Sequence, residues 1–114
     1  MLDETPSEIY LALGPTDMRK SINTLSILVE QAMALNPFSG DLFVFSNRAR
    51  TILKILYWQT NGFCLWQKRL EKDRFQWPKT PKEILRIDHQ QLRWLLSGLD
   101  FQSAHKALRY SIAA

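Results

Sequence analysis

The sequence predicts a small α+β domain, in which an antiparallel β-meander of about four or five strands packs against two helices. Three observations predict this fold class. The chain has 114 residues, 46% of them hydrophobic, which is enough to bury one core. The pair Asn61-Gly62 separates two apolar runs, which is a strong signal for a β-hairpin. Apolar residues between Met18 and Met33 recur at helical spacing, as they do in a helix packed on a sheet.

The first part of the chain is predicted to form an edge strand and then one long amphipathic helix. Glu8–Leu13 is a short apolar run that ends at a Gly-Pro pair, which is typical of a strand followed by a turn. The helix is expected at about 17–35, with Thr16 or Asp17 as its N-cap and an Asn-Pro pair as its stop.

The rest of the sheet is predicted from the middle of the chain. Leu42–Ser46, Thr51–Thr60 and Phe63–Leu70 are predicted strands, and Phe75–Trp77 is a candidate for a short further strand. The run Leu85–Ile87 is too short to assign from its pattern.

The last predicted element is a second helix. Asp88 and Gln91 have the spacing of a capping box and Gly98 is a natural helix end, so this helix is expected at about 88–98. We therefore expect one domain over residues 1–101, followed by a tail at 102–114 that is helical or disordered.

A two-residue turn at Asn61-Gly62 sets a register for the predicted hairpin, with Lys54 directly opposite Arg69. Like charges in this position cost up to about 1 kcal/mol, so Glu71, Asp73 or a phosphate from a partner is expected to offset them. Alternation divides the hairpin into two faces: one carries Ile52, Lys54, Leu56, Trp58, Leu65, Gln67 and Arg69, and the other carries Leu53, Ile55, Tyr57, Cys64, Trp66, Lys68 and Leu70.

Positive charge is concentrated in the same part of the chain. Ten basic and three acidic residues lie between Arg48 and Arg86, whereas the rest of the chain has five basic and eight acidic residues. The predicted register gathers many of these cations at one end of the sheet, which is a plausible surface for nucleic-acid phosphates. The candidate nucleic-acid-binding residues are Arg48, Arg50, Lys54, Lys68, Arg69, Lys72 and Arg74.

Two alternatives apply to these candidates. Long basic side chains at a sheet end are often simply solvated, with their stems packed over aromatic rings. The four tryptophans are expected mainly in the core and less as platforms for base stacking.

Other functional classes find little support in the sequence. The single Cys64 excludes an internal disulfide and a cysteine-rich zinc site, so no metal ligands are assigned. The aspartates are scattered and no glycine-rich phosphate loop is present, so we assign no catalytic residue and no cofactor. No apolar run approaches the roughly 18 residues of a membrane span, and a cytoplasmic protein is expected.

Four segments of the chain resemble the small accessory protein of the insertion sequence 66 family, often called TnpB or the second open-reading-frame protein. This family is unrelated to the RNA-guided nucleases that share the name TnpB. The segments are GPTDMRKSINTL (Gly14–Leu25), NPFSGDLFVFSNRARTILKILYW (Asn36–Trp58), NGFCLWQKRLEKDRFQWP (Asn61–Pro78) and QLRWLLSGLDF (Gln91–Phe101). The resemblance implies a bacterial mobile-element protein that acts beside a separate, larger transposase. One departure is Asp73, where the family often has glycine.

The charge pattern and the resemblance together predict a non-enzymatic accessory protein that assists transposition, with the basic sheet end contacting phosphates of DNA at the element ends. The alternative is a protein-interaction module. It docks through a sheet edge or the second helix on the transposase, or on another accessory protein of the same element, without direct DNA contact. An unrecognised metal-dependent nuclease is a third hypothesis.

Overall fold

The computed structural model describes residues 7–98 of the chain. Over these residues it contains five strands and two helices: β1 (Ile9–Ala12), α1 (Ile22–Gln31), β2 (Leu42–Ser46), β3 (Ile52–Gln59), β4 (Gly62–Arg69), β5 (Ile84–Ile87) and α2 (His89–Leu96). The predicted α+β class and the predicted number of strands are therefore confirmed. The predicted tail at 102–114 lies outside the described residues, as do residues 1–6 and 99–101 of the predicted domain.

The five strands form one mixed sheet in the order β4-β3-β2-β1-β5. β1 and β2 run parallel, whereas every other neighbouring pair is antiparallel. The predicted antiparallel meander is therefore wrong at β1. β1 is also not an edge strand, because it lies between β2 and β5. Parallel neighbours need a crossover of a dozen or more residues, and the segment that carries α1 supplies it.

α1 is ten residues long, so the prediction of one long helix at 17–35 is wrong. The helix begins after Ser21, whose side chain accepts a hydrogen bond from the Thr24 amide at 3.4 Å, and not after Thr16 or Asp17. Asp17 belongs instead to a separate turn, in which its backbone carbonyl accepts a hydrogen bond. Met18 of this turn packs in the same cluster as the apolar side chains of the helix. Apolar residues therefore recur at helical spacing from Met18 onward, although the helix begins only at Ile22.

Apolar side chains pack on both faces of the sheet. α1 covers one face through Leu25 and Val29, and α2 covers the other through Leu92 and Leu95. All five residues of β2 are buried, because this strand is covered on both sides. A strand in that position reads as a continuous apolar run, and residues 42–45 form such a run.

The candidate strand Phe75–Trp77 is wrong, because this segment lies outside the sheet. Phe75 and Trp77 are nevertheless buried, in the cluster on the α2 face, while Gln76 between them is exposed. This segment therefore packs on the α2 face of the sheet without joining the sheet as a strand.

The β3–β4 hairpin turns one step earlier than predicted. Gln59 pairs with Gly62, so the two loop residues are Thr60 and Asn61, and Thr60 takes a positive φ of 54°. The pairing is shifted by two residues from the predicted register. Side chains alternate with a period of two, so the shift leaves each one on its predicted face. The packing clusters on the two faces agree with that assignment.

The shifted register removes the predicted like-charge pair. Lys54 faces Gln67 across the hairpin, and Arg69 faces Ile52. The compensating charge that the predicted register required is therefore unnecessary.

α2 begins and ends as predicted. Asp88 accepts a hydrogen bond from the Gln91 amide at 2.7 Å, and the Gln91 side chain accepts one from the Asp88 amide at 2.9 Å. This reciprocal pair is the predicted capping box. The chain leaves the helix through Ser97 and Gly98, and Gly98 takes a φ of 84°.

Candidate nucleic-acid interface

Five strand termini meet at one end of the sheet. β1, β2 and β4 end there and β3 and β5 begin there, because the registers pair Ile52 with Arg69 and Ala12 with Ile84. The segments that leave or enter the sheet at this end carry several basic side chains. We call this surface the basic end and define it by Arg48, Arg50, Arg69, Lys72, Arg74 and Lys79.

Backbone hydrogen bonds hold two of these segments together. The Leu70 amide donates to the Thr51 carbonyl at 2.8 Å, and the Phe75 amide donates to the Arg50 carbonyl at 2.7 Å. The loop that carries Lys72 and Arg74 is therefore clamped at both ends to the turn between β2 and β3. The turn that carries Arg48 and Arg50 and the loop that carries Lys72 and Arg74 are thus separate in the sequence, but the fold joins them at one end of the sheet.

Asp73 lies between the two cations of that loop and takes a φ of 65°. A positive φ is readily adopted by glycine and less readily by other residues. This backbone geometry gives a physical reason for the glycine that the resemblance implies at this position.

Arg50 links the basic end to the core. Its guanidinium donates to the backbone carbonyls of Asn47 at 3.3 Å and Leu13 at 3.1 Å. The same group lies 5.0 Å from the centroid of the Trp77 ring, and the Trp77 indole N–H also donates to Leu13, at 3.1 Å. Burial, and to a lesser extent the charge of Arg48, lowers the pKa of the Arg50 guanidinium.

Two of the predicted candidates hold the fold together through their ammonium groups. Lys54 is only 8% exposed, and its Nζ donates to the Met18 carbonyl at 2.6 Å. Lys68 donates to the Leu96 carbonyl at 2.8 Å, where the last carbonyls of α2 and the helix dipole favour a cation. We therefore leave both lysines out of the basic end.

The remaining predicted candidates, apart from Arg50, are exposed. Arg69 forms an exposed ion pair with Glu71 at 3.3 Å, and such pairs are weak. Among residues 7–98, no ion pair engages Arg48, Lys72 or Arg74.

Lys79 belongs to the same surface, although it was not among the predicted site residues. It is exposed and borders a groove that Arg50 and Arg74 also border. The signal available in the sequence was its position within the basic segment between Arg48 and Arg86. The lysine lies in a loop without periodicity, so the sequence offered no way to orient it.

A turn near the basic end carries a further exposed arginine. The Arg19 guanidinium, with its side chain 91% exposed, donates to both carboxylate oxygens of Asp17, at 2.8 to 3.2 Å. These hydrogen bonds hold the pKa of the Asp17 carboxyl well below its ordinary value. The positive charge of Arg19 is thus balanced locally.

Three of the four tryptophans lie in the core or in a distant aromatic cluster, and Trp94 is half-buried on α2. Trp66 and Trp77 pack in the cluster on the α2 face. Trp58 packs against Phe38 and Phe63, with ring centroids 5.1 and 5.0 Å away. This second cluster lies where β3 turns into β4, at the opposite end of the sheet from the basic end.

Two other features bear on the possible chemistry of the chain. Within residues 7–98, no three His, Cys, Asp or Glu side chains come close enough together to hold a metal ion. Neither of the two helices in that range has the length and apolar character that a membrane crossing requires.

Comparison with known proteins gives a consistent set of relatives. A family model described as IS66 Orf2 like protein matches residues 7–106. The uncharacterized protein y4hO of Sinorhizobium fredii is 38% identical over 101 residues, which cover 89% of this chain and 88% of the relative. The uncharacterized protein y4jC of the same organism is 33% identical over 93 residues, which cover 82% and 80%. No solved structure matches.

Proposed function

Because the chain belongs to the IS66 Orf2-like family, we propose that it is a non-enzymatic accessory protein that assists transposition of a bacterial insertion sequence. In this role it binds phosphates of DNA at the element ends and works beside the transposase. One observation supports the proposal: Arg48, Lys72 and Arg74 lie in segments that meet at one end of the sheet, and none is engaged in an ion pair among residues 7–98.

The contact is to the phosphate backbone and carries little sequence information. Base reading in the major groove requires a protruding helix or β-ribbon, whereas α1 and α2 both pack on the faces of the sheet. The cations are at the strand ends, where side chains reach phosphates and set position. Arginine suits this contact because its planar guanidinium donates two hydrogen bonds to one phosphate.

The test is a double charge reversal, Arg48→Glu with Arg74→Glu. Both side chains are exposed, so the variant is expected to fold. Removing two phosphate contacts is expected to lower affinity for any duplex about 100-fold and to reduce the salt slope of binding by about 2. Electrophoretic shifts on terminal-repeat and scrambled duplexes measure both quantities, and circular dichroism checks the fold.

A second double variant provides a matched control. Arg86 and Arg93 are exposed cations on β5 and α2, outside the basic end. Arg86→Glu with Arg93→Glu changes the net charge by the same amount, so long-range repulsion from DNA is similar. The proposal requires this control to bind far better than the basic-end variant. Equal loss in both would mean that only net charge matters.

A second candidate function is a protein-interaction module that docks on the transposase, or on another accessory protein of the same element, without direct DNA contact. The observation that favours it is β4, which forms one edge of the described sheet. Its first five residues, 62–66, carry no charge. Exposed edges are usually protected by charge, so this one is suited to pairing with a strand of a partner.

The two functions differ in how complexes respond to salt and nuclease. A pull-down of the transposase at high salt, with nuclease present, is expected to recover little protein if DNA joins the two partners. Recovery that survives both treatments favours the interaction module. Size-exclusion chromatography is the independent check. A soluble complex whose absorbance ratio shows no nucleic acid favours the interaction module.

A further inference from the structure

One groove in the basic end has a lining without any carboxylate. It has a volume of about 370 Å³ and lies between Arg50, Arg74 and Lys79, with Trp77 and Pro78 on its apolar side. Volumes of roughly 300–1,000 Å³ are usual for small-ligand sites. Two other grooves that basic-end residues border each contain an aspartate, Asp73 in one and Asp17 in the other.

The charge in this groove is not compensated by the described chain. Arg50 is half-buried, and two of its five N–H donors are used, both by neutral backbone carbonyls. Among residues 7–98, no ion pair engages Arg50, Arg74 or Lys79. A partly buried cation without a counter-ion is costly, and burial accordingly lowers the pKa of Arg50.

The groove is also rigidly framed. Arg50 is fixed through the Leu13 carbonyl, to which the Trp77 indole also donates. The Phe75 amide donates a hydrogen bond to the Arg50 carbonyl. The two segments that form the walls of the groove are therefore joined directly. A fixed guanidinium loses less side-chain entropy on binding than a free one.

From these observations we propose that the groove bordered by Arg50, Arg74 and Lys79 binds a single phosphate group at a defined position. The anion supplies the missing counter-ion, with Arg50 at the base and the two exposed cations at the rim. This inference rests on the proposed function, in which the phosphate belongs to a nucleic-acid strand. A free phosphate has the same recognition chemistry, and the experiment separates these two sources.

The test is an NMR titration of the full chain with inorganic phosphate, at constant ionic strength maintained with chloride. The Trp77 indole N–H and the backbone amides of Gln76 and Lys79 report on the groove. We expect saturable shifts confined to these signals. Arg74→Gln and Lys79→Gln are each expected to weaken phosphate binding about tenfold, since each removes a charged hydrogen-bond donor.

Arg93→Gln is the matched control, because Arg93 is an exposed cation on α2 that lies outside the basic end and does not border this groove. It is expected to leave phosphate affinity unchanged. Shifts that rise linearly without saturation, or that spread over every exposed cation, would overturn the assignment, as would equal weakening by all three substitutions.

A second titration uses a short duplex without terminal phosphates. Shifts of the same groove signals identify a phosphodiester as the ligand. Duplex binding that leaves those signals unmoved, with phosphate still saturating the groove, assigns the site to free phosphate. Phosphate binding without any duplex binding refutes the proposed function while the groove assignment stands.

Discussion

Trp77→Ala is expected to lower the free energy of unfolding by about 3–5 kcal/mol, the range for removing a large buried aromatic side chain. Trp77 is only 9% exposed and packs in the cluster on the α2 face. Its loss leaves a cavity and removes the indole hydrogen bond to the Leu13 carbonyl. The Arg50 guanidinium also loses the ring on which it lies. Total stabilities of small domains are only about 5–15 kcal/mol, so this single change removes a large part.

Urea unfolding followed by far-ultraviolet circular dichroism measures this effect. Trp77→Phe keeps a buried ring but loses the N–H donor, so its cost is expected to be smaller. Trp94→Ala is the matched control, because Trp94 is half-buried on α2 and leaves a smaller cavity. A Trp77→Ala variant whose free energy of unfolding stays within about 1 kcal/mol of that of the parent chain would contradict the packing described for this segment, because such a loss is below the usual range for these deletions.

Affinity for duplex DNA is expected to fall roughly 100-fold when salt is raised from about 50 mM to about 200 mM. Each phosphate neutralised on a duplex contributes about −0.9 to the slope of log affinity against log salt. Four exposed cations of the basic end make no ion pair among residues 7–98, namely Arg48, Lys72, Arg74 and Lys79, and they give a slope of about −3.6 on that basis. The contact is to phosphates, so a scrambled duplex is expected to show the same slope as the element end.

Fluorescence anisotropy at several salt concentrations measures this slope directly. A slope near zero would show that phosphates contribute little, and the basic end would lose its assigned role. A slope that differs strongly between scrambled and element-end duplexes would instead indicate base contacts. Lys54→Met serves as an internal control, because the Lys54 ammonium is bound to the Met18 carbonyl and is expected to make no phosphate contact.

Features encoded by neighbouring residues were predicted well. The capping box of α2 depends on Asp88 and Gln91, three residues apart, so the whole signal lies within one turn of the chain. The two faces of the hairpin depend only on alternation. Even a register error of two residues left every side chain on its predicted face.

Features that depend on distant partners were predicted less well. β1 runs parallel to β2, which begins about thirty residues later, and antiparallel to β5, which begins about seventy residues later. The short apolar pattern of β1 carries no information about either partner. The start of α1 was predicted too early, because Met18 precedes the helix but packs in the same cluster as the apolar face of the helix. At the hairpin, Thr60 takes the positive φ, so the tertiary pairing overrode the local Asn-Gly preference.

The sequence by itself determined the fold class, the concentration of positive charge between Arg48 and Arg86, and the resemblance to a family. Only the tertiary structure decided which cations are free to act. Lys54 and Arg74 are both basic residues of that segment, yet one is buried against a carbonyl and the other is exposed. The physical reason is that a side chain's environment is set by elements far along the chain, while its charge is set by its identity alone.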